Sequence, residues 1–317
     1  AALEFEQKLD FLTKGLRFKA LGTFKNWSKS INKYSAGWNK YLLGSYEQNE
    51  DGSYSYTTNR VGNEVSTDLN STNETAGDRR IYLEAMVDYN RTFGRHDVNA
   101  MLLYNQDELV NNVPGNNLIN SLPKRKQGLA GRLSYAYDGK YMAEVNMGYN
   151  GSENFAKGHR FGFFPAYAVG WMISNEKFWE PILPVVSELK LKASYGSVGN
   201  DAIGGDRWIY QSTISTNNGG NYGENGSEGG GGIQVGNVEN LNVSWEKAYK
   251  TNLGFEMRLF DRIKIQADYF HEKREGVFIN RQGLPAIVGL TTKPKTNIGA
   301  SVNRGVDATL EYEEKVG

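Results

Sequence analysis

Between Arg160 and Trp179 the side chains alternate. Phe163, Pro165, Tyr167, Val169, Trp171 and Ile173 fall on one face, and Phe164, Ala166, Ala168, Gly170 and Met172 on the other. A period of two is that of a β-strand. Aromatics gather at both ends of the run, at Phe161–Phe164 and again at Trp171 and Phe178–Trp179. That is the pattern of a strand whose ends lie at two membrane–water interfaces. One such run fits a strand in a soluble sandwich equally well; only its recurrence separates the two.

The pattern recurs along the whole chain. Leu16, Phe18, Ala20 and Phe24 oppose Arg17, Lys19, Thr23 and Lys25, while Ile81, Leu83, Ala85, Val87 and Tyr89 oppose Arg80, Glu84 and Asp88. Similar runs cover 98–104, 129–137, 141–149, 189–195, 249–259, 263–269 and 306–312, and one opens the chain at Leu3 and Phe5, extending to Leu9 and Phe11. About eleven strands result. Asp138-Gly139 marks a tight hairpin, and a second one is expected around Asp51-Gly52. The connections alternate between short and long, with long loops expected at about 26–78, 105–127, 150–160, 197–244 and 271–303. Short turns at one end and long loops at the other are the habit of an outer-membrane barrel. About ten residues at ~3.4 Å each, tilted about 45°, rise ~24 Å, which matches an apolar band of ~25 Å. The fold class expected is all-β: an antiparallel up-and-down transmembrane β-barrel, with residues 1–317 forming one partial barrel domain.

Composition agrees. Lys plus Arg number 36 against 36 Asp plus Glu, so there is no basic footprint for nucleic acid. No cysteine is present, which excludes disulfides and thiolate chemistry. No apolar run reaches the length of a transmembrane helix, but barrel strands need none, since their interior-facing residues are polar. No signal peptide is recognisable, and both ends of the sequence lie in strand pattern, so we expect a piece of a longer protein.

Little points to catalysis. His96 and His159 lie in connections, and His271 stands three residues from Asp268; a hydrolase would also need a positioned nucleophile. The histidines lack zinc spacing. Gly229–Gly232 has no following Lys-Ser/Thr and so is not a phosphate loop. Asn217–Asn221 and Glu224-Asn225 offer oxygens but no spaced calcium loop. The expectation is a non-enzyme with no cofactor and no metal. Binding is the stronger possibility: the loop aromatics Trp38, Trp208, Tyr210 and Tyr222 offer flat apolar faces to sugar rings or peptide side chains, and Trp171, Trp179 and Trp245 are expected in the interfacial girdle.

Several stretches carry a resemblance. They are Arg160-Phe-Gly-Phe-Phe-Pro-Ala-Tyr-Ala-Val-Gly-Trp171 with Phe178-Trp179, then Leu189-Lys-Leu-Lys-Ala-Ser-Tyr-Gly-Ser-Val-Gly-Asn200, and later Ser244-Trp-Glu-Lys247, Thr251–Phe255 and Asn303–Val306. In this order they resemble the barrel of SusC/RagA-type TonB-dependent transporters. The resemblance implies a bacterial outer-membrane barrel of 22 strands, of which this chain holds about half, with outer-membrane lipid around it. It also implies a plug and a TonB-engaging segment, neither matched here, a SusD-like lipoprotein partner, and import of an oligosaccharide, peptide or other large nutrient. A passive porin-like barrel and a soluble cell-surface glycan-binding β protein remain as alternatives.

Overall fold

The computed structural model describes residues 1–317 except 116–117, 203–206, 209, 217–219, 227, 230–231, 282, 284, 286, 288–292 and 315–317. Eleven strands form one antiparallel sheet whose spatial order follows chain order. They are β1 (Ala2–Lys8), β2 (Leu16–Ser35), β3 (Asn70–Phe93), β4 (His96–Asn111), β5 (Lys124–Tyr137) and β6 (Tyr141–Ser152). The series continues with β7 (Phe161–Met172), β8 (Val186–Asn200), β9 (Glu246–Leu259), β10 (Ile263–Asn280) and β11 (Lys295–Tyr312). β1 and β11 are the two edges, so the barrel is not closed in this chain.

The turns explain the up-and-down order. Asp138 and Gly139 both have positive φ, 54° and 63°, and the Lys140 amide donates to the Tyr137 carbonyl at 2.9 Å. That is a two-residue hairpin turn whose twist matches the strands it joins. Phe260 and Asp261 form a turn of the same kind, with φ of 52° and 56°, although neither is the residue such a turn favours. Longer connections separate β2 from β3, β4 from β5, β6 from β7, β8 from β9, and β10 from β11. The turn between β7 and β8 is the longest at the short end, and carries 3-10 turns at Ile173–Asn175 and Lys177–Ile182.

The two faces differ as the alternation requires. Leu83, Leu102, Leu133, Val145, Tyr167, Leu191, Leu253 and Val306 are exposed, Val306 at 69%. Among the described residues no second layer covers them. Among the described residues the buried hydrophobics are only Phe155, Ala156, Phe164, Ile173, Val243 and Trp245. A soluble chain of this length buries far more apolar surface than that, which removes the soluble-sandwich reading. Among the described residues no helix is long and apolar enough to cross a membrane.

Several expected loops are shorter than the sequence suggested. β10 runs to Asn280 and β11 starts at Lys295, so much of 271–303 is strand. Likewise β2 extends to Ser35, β4 to Asn111 and β8 to Asn200. Backbone pairing continues past the apolar band, where both faces are wet and alternation no longer marks the strand. Conversely, Leu9 and Phe11 belong to the β1–β2 turn, where the Leu12 and Thr13 amides donate to the Leu9 carbonyl.

The chain divides into two compact units. The first comprises Ala1–Phe24, Arg80–Leu109 and Pro123–Gly317, and includes part of every strand of the sheet. The second comprises Lys25–Arg79 and Val110–Leu122. It holds the expected hairpin, Lys40–Gln48 paired with Tyr54–Val61. At the hairpin tip Asp51 accepts hydrogen bonds from the Ser53 amide (2.9 Å) and hydroxyl (2.6 Å). The hydroxyl bond is the main reason the Asp51 carboxyl lies below its usual range.

Candidate functional site

The face opposite the apolar one carries charges on most strands, and the register brings them into pairs. Lys192 of β8 lies 3.1 Å from Glu256 of β9 and 3.1 Å from Asp268 of β10. Lys192, Gly254 and Asp268 sit in one row across three strands. The middle position has no side chain, so the outer two meet across it; a Cβ at Gly254 would lie 2.1 Å from Asp268 Oδ1. Arg132 of β5 pairs with Glu144 of β6 at 2.6 Å, and Asn146 donates to the same carboxylate at 2.7 Å. Arg17 of β2 donates to both Asp88 oxygens (3.0–3.2 Å) and to Glu6 (3.2 Å). Pairs this open to water add little to stability. What they provide is a wall of fixed, locally balanced charge that a polar solute can pass without burying an unpaired ion.

Two clamps stand at the long-loop end of that wall. Where β8 ends, the buried Asp201 carboxylate accepts from Ser152 Oγ (2.8 Å) and pairs with Lys126 (2.7 Å). Its carbonyl accepts from Asn154 (3.0 Å). Where β9 begins, Asn297 of β11 donates to the carbonyls of Ser244 (2.9 Å) and Gly276 (2.8 Å) and accepts from the Ser244 amide (3.0 Å). Glu246 accepts from Asn200 (2.9 Å) and the Phe278 amide (2.8 Å). The long β8–β9 connection is thus pinned at both roots. Beside it Phe155, Phe164, Val243 and Trp245 form the one apolar cluster among the described residues. The Phe164 ring occupies the space a side chain at Gly199 would need, 2.0 Å from an added Cβ.

Trp245 therefore does not join the girdle. It is 8% exposed, packs on Phe155 and Phe164 with ring centroids 5.3 Å away in each case, and donates from Nε1 to the Arg160 carbonyl at 3.2 Å. Phe164 lies on the face opposite Phe163 and Tyr167, so this cluster is on the polar side of the sheet. Trp171 lies on the apolar face at the short-turn end, stacked on Tyr141 at 6.4 Å and 14°. Trp179 is in the following turn and donates to the Val186 carbonyl at 3.1 Å. Of the loop aromatics, Trp38 belongs to the second unit and is 73% exposed; Tyr222 is 62% exposed. Trp208 is half-buried, with the Arg207 guanidinium 4.6 Å from its ring centre, and the Tyr210 carbonyl accepts from Asn240 at 3.1 Å. Asn217, Asn218, Gly219, Gly230 and Gly231 lie outside the described residues.

The acid–base pairing of His271 with Asp268 is not formed. Three residues apart on one strand, they point to opposite faces; the period-two rule alone could have shown this. His96 Nδ1 instead lies 2.7 Å from the Tyr135 hydroxyl. Asp201 and Asn297 escaped the sequence reading because isolated polar residues near Gly/Asn-rich loops carry no periodic signal.

At the short-turn end the Glu176 carboxylate accepts from Tyr141 Oη (2.6 Å), Trp171 Nε1 (3.3 Å) and Lys140 Nζ (3.3 Å). The Tyr141 bond is foremost in holding this carboxyl below its usual range.

An exposed apolar face backed by a charged one, with aromatics at its margin and long connections at one end, is the wall of a transmembrane β-barrel. The sequence model of the TonB dependent receptor-like beta-barrel family matches residues 4–315, and the chain belongs to that family. It is an outer-membrane protein. TonB-dependent receptor P3 of Formosa agariphila is 25% identical over 274 residues, 79% of this chain and 26% of that protein. TonB-dependent receptor SusC of Bacteroides thetaiotaomicron is 28% identical over 188 residues, 57% of this chain and 18% of that protein. The chain thus spans about a quarter or less of these curated relatives. Among solved structures, the RagAB peptide importer in its closed-closed state superposes with a TM-score of 0.69 at 20% identity, covering 96% of this chain and 33% of that one. This last likeness is one of fold.

Proposed function

We propose that this chain is part of the wall of a TonB-driven outer-membrane importer for a large polar nutrient, an oligosaccharide or a peptide, working with a SusD-like lipoprotein at its long-loop end. The observation that carries the reading is the ladder of paired charges on the interior face, backed by an exposed apolar face. Membership of the TonB-dependent receptor family supports energy coupling, and the words "peptide importer" for the structural relative and "SusC" for the curated one support a large nutrient. Residues 1–317 supply barrel wall, about half of a 22-stranded barrel, and the plug and TonB-engaging segment act from elsewhere in the assembly. In this reading Trp38, Trp208, Tyr210 and Tyr222 contact substrate, with Tyr222 the most open of the three in the β8–β9 connection.

Uptake of labelled oligopeptides and of labelled oligosaccharides, in cells with the receptor intact or deleted and with TonB present or absent, tests the proposal. The expected result is uptake of one class that needs both. Uptake that needs the receptor but not TonB would identify a passive pore instead.

A further inference from the structure

The apolar face is uneven. Ala193 of β8 stands in register between Val169 of β7 and Leu253 of β9, with Leu191 and Tyr195 before and after it on the same face. All four neighbours are larger, so the surface dips there. Together with Tyr141 and Trp171 these strands leave a shallow apolar depression, largely open to its surroundings. Its border at the short-turn end is formed by Trp171 and Tyr141, which both donate to Glu176. Beyond Glu176 a chain of ion pairs runs through Lys140 (3.3 Å) and Asp138 (3.7 Å from Lys140) to the exposed Arg95 (3.6 Å from Asp138).

A shallow apolar depression that ends in a hydrogen-bonded carboxylate with cations beside it matches a zwitterionic lipid better than a bare hydrocarbon surface. The sheet lies in the outer membrane, where short turns mark the periplasmic side and hence the phospholipid leaflet. We propose that this hollow is a binding site for one phospholipid with a phosphoethanolamine headgroup. Its acyl chain lies over Ala193, its ammonium group meets Glu176, and its phosphate faces Arg95 and Lys140. The site rests on the membrane placement of the sheet and not on what the protein imports.

The test is native mass spectrometry of the receptor purified from outer membranes, stripped stepwise in detergent and offered palmitoyl-oleoyl phosphatidylethanolamine or phosphatidylglycerol. The intact protein is expected to retain one phosphatidylethanolamine and to prefer it to phosphatidylglycerol. Ala193→Trp fills the hollow and should lower retention by about tenfold or more, the effect of displacing two methylenes from apolar contact. Glu176→Gln should keep a lipid but lose the headgroup preference. Heat-modifiable migration reports whether each variant is folded, and Ala193→Leu replaces Ala193→Trp if the larger side chain prevents insertion. Equal retention in all variants, or adducts without headgroup preference in the intact protein, would leave only ordinary annular lipid and overturn the site.

Discussion

Gly254 holds its place by what it leaves out. An added methyl would collide with the Asp268 carboxylate at 2.1 Å and push it off Lys192. Gly254→Ala is expected to destabilise the folded chain by about 1–3 kcal/mol through this overpacking, read as a lower urea midpoint in lipid vesicles. Lys192→Met, which removes one partner and adds no clash at the glycine, should cost less. Glu176 has a pH signature. Its carboxyl is lowered in the folded state, so its hydrogen bonds stabilise the turn fully above the ordinary glutamate value of about 4.3 and lose that contribution as pH falls through the folded value. Since Trp171 donates to this carboxylate, tryptophan fluorescence should shift on acidification below the ordinary glutamate value of about 4.3 and not above it. The Glu176→Gln variant should lack that component of the change.

At the level of elements, the turns decide how each hairpin closes. The β9–β10 turn places Phe260 and Asp261 in left-handed backbone, φ 52° and 56°, held by the Arg262 amide on the Leu259 carbonyl at 3.0 Å. Left-handed backbone costs an ordinary L-residue roughly 1–2 kcal/mol, and Asn-Gly adopts it with least strain. Phe260→Asn combined with Asp261→Gly is therefore expected to stabilise the protein by about 1 kcal/mol or more, measured as a raised unfolding temperature in detergent. No change would mean that the exposed Phe260 ring gains as much from its surroundings as the backbone loses. The strand ends make a related point. Once pairing is under way, each added residue gains ladder hydrogen bonds whether or not its side chain is apolar, so β10 and β11 outrun the band that identified them.

The whole sheet is two-sided, and its two solvents are a claim that neighbouring residues can test. Val145 and Asn146 are adjacent on β6 but face opposite ways, Val145 on the exposed apolar side and Asn146 beside Glu144. Val145→Lys is expected to cost about 2–4 kcal/mol in a bilayer, as a lysine does on the lipid face near the midplane. Asn146→Lys should cost well under half of that, having Glu144 within reach. Urea titration of folding into vesicles measures both, and equal costs would mean that the two faces meet the same solvent.

The order of side chains along the chain was enough to define the strands, their two faces, the alternation of short and long connections and the membrane as solvent. The strands and their two faces follow from local periodicity, which a single strand carries by itself; the connections and the membrane follow from the recurrence of that pattern along the chain. It was also enough to separate Asp268 from His271, since strand period alone sends them to opposite faces. Other features belong to neighbouring strands jointly. The slot that Gly199 leaves for Phe164, the row of Lys192, Gly254 and Asp268, and the capture of Trp245 in a buried cluster all depend on register across β7 to β10. Register sets which residues of distant segments stand side by side, and no one segment contains that information. The clamps at Asp201 and Asn297 follow the same logic: each ties a loop root to strands far away in sequence, so only the assembled sheet brings donor and acceptor together.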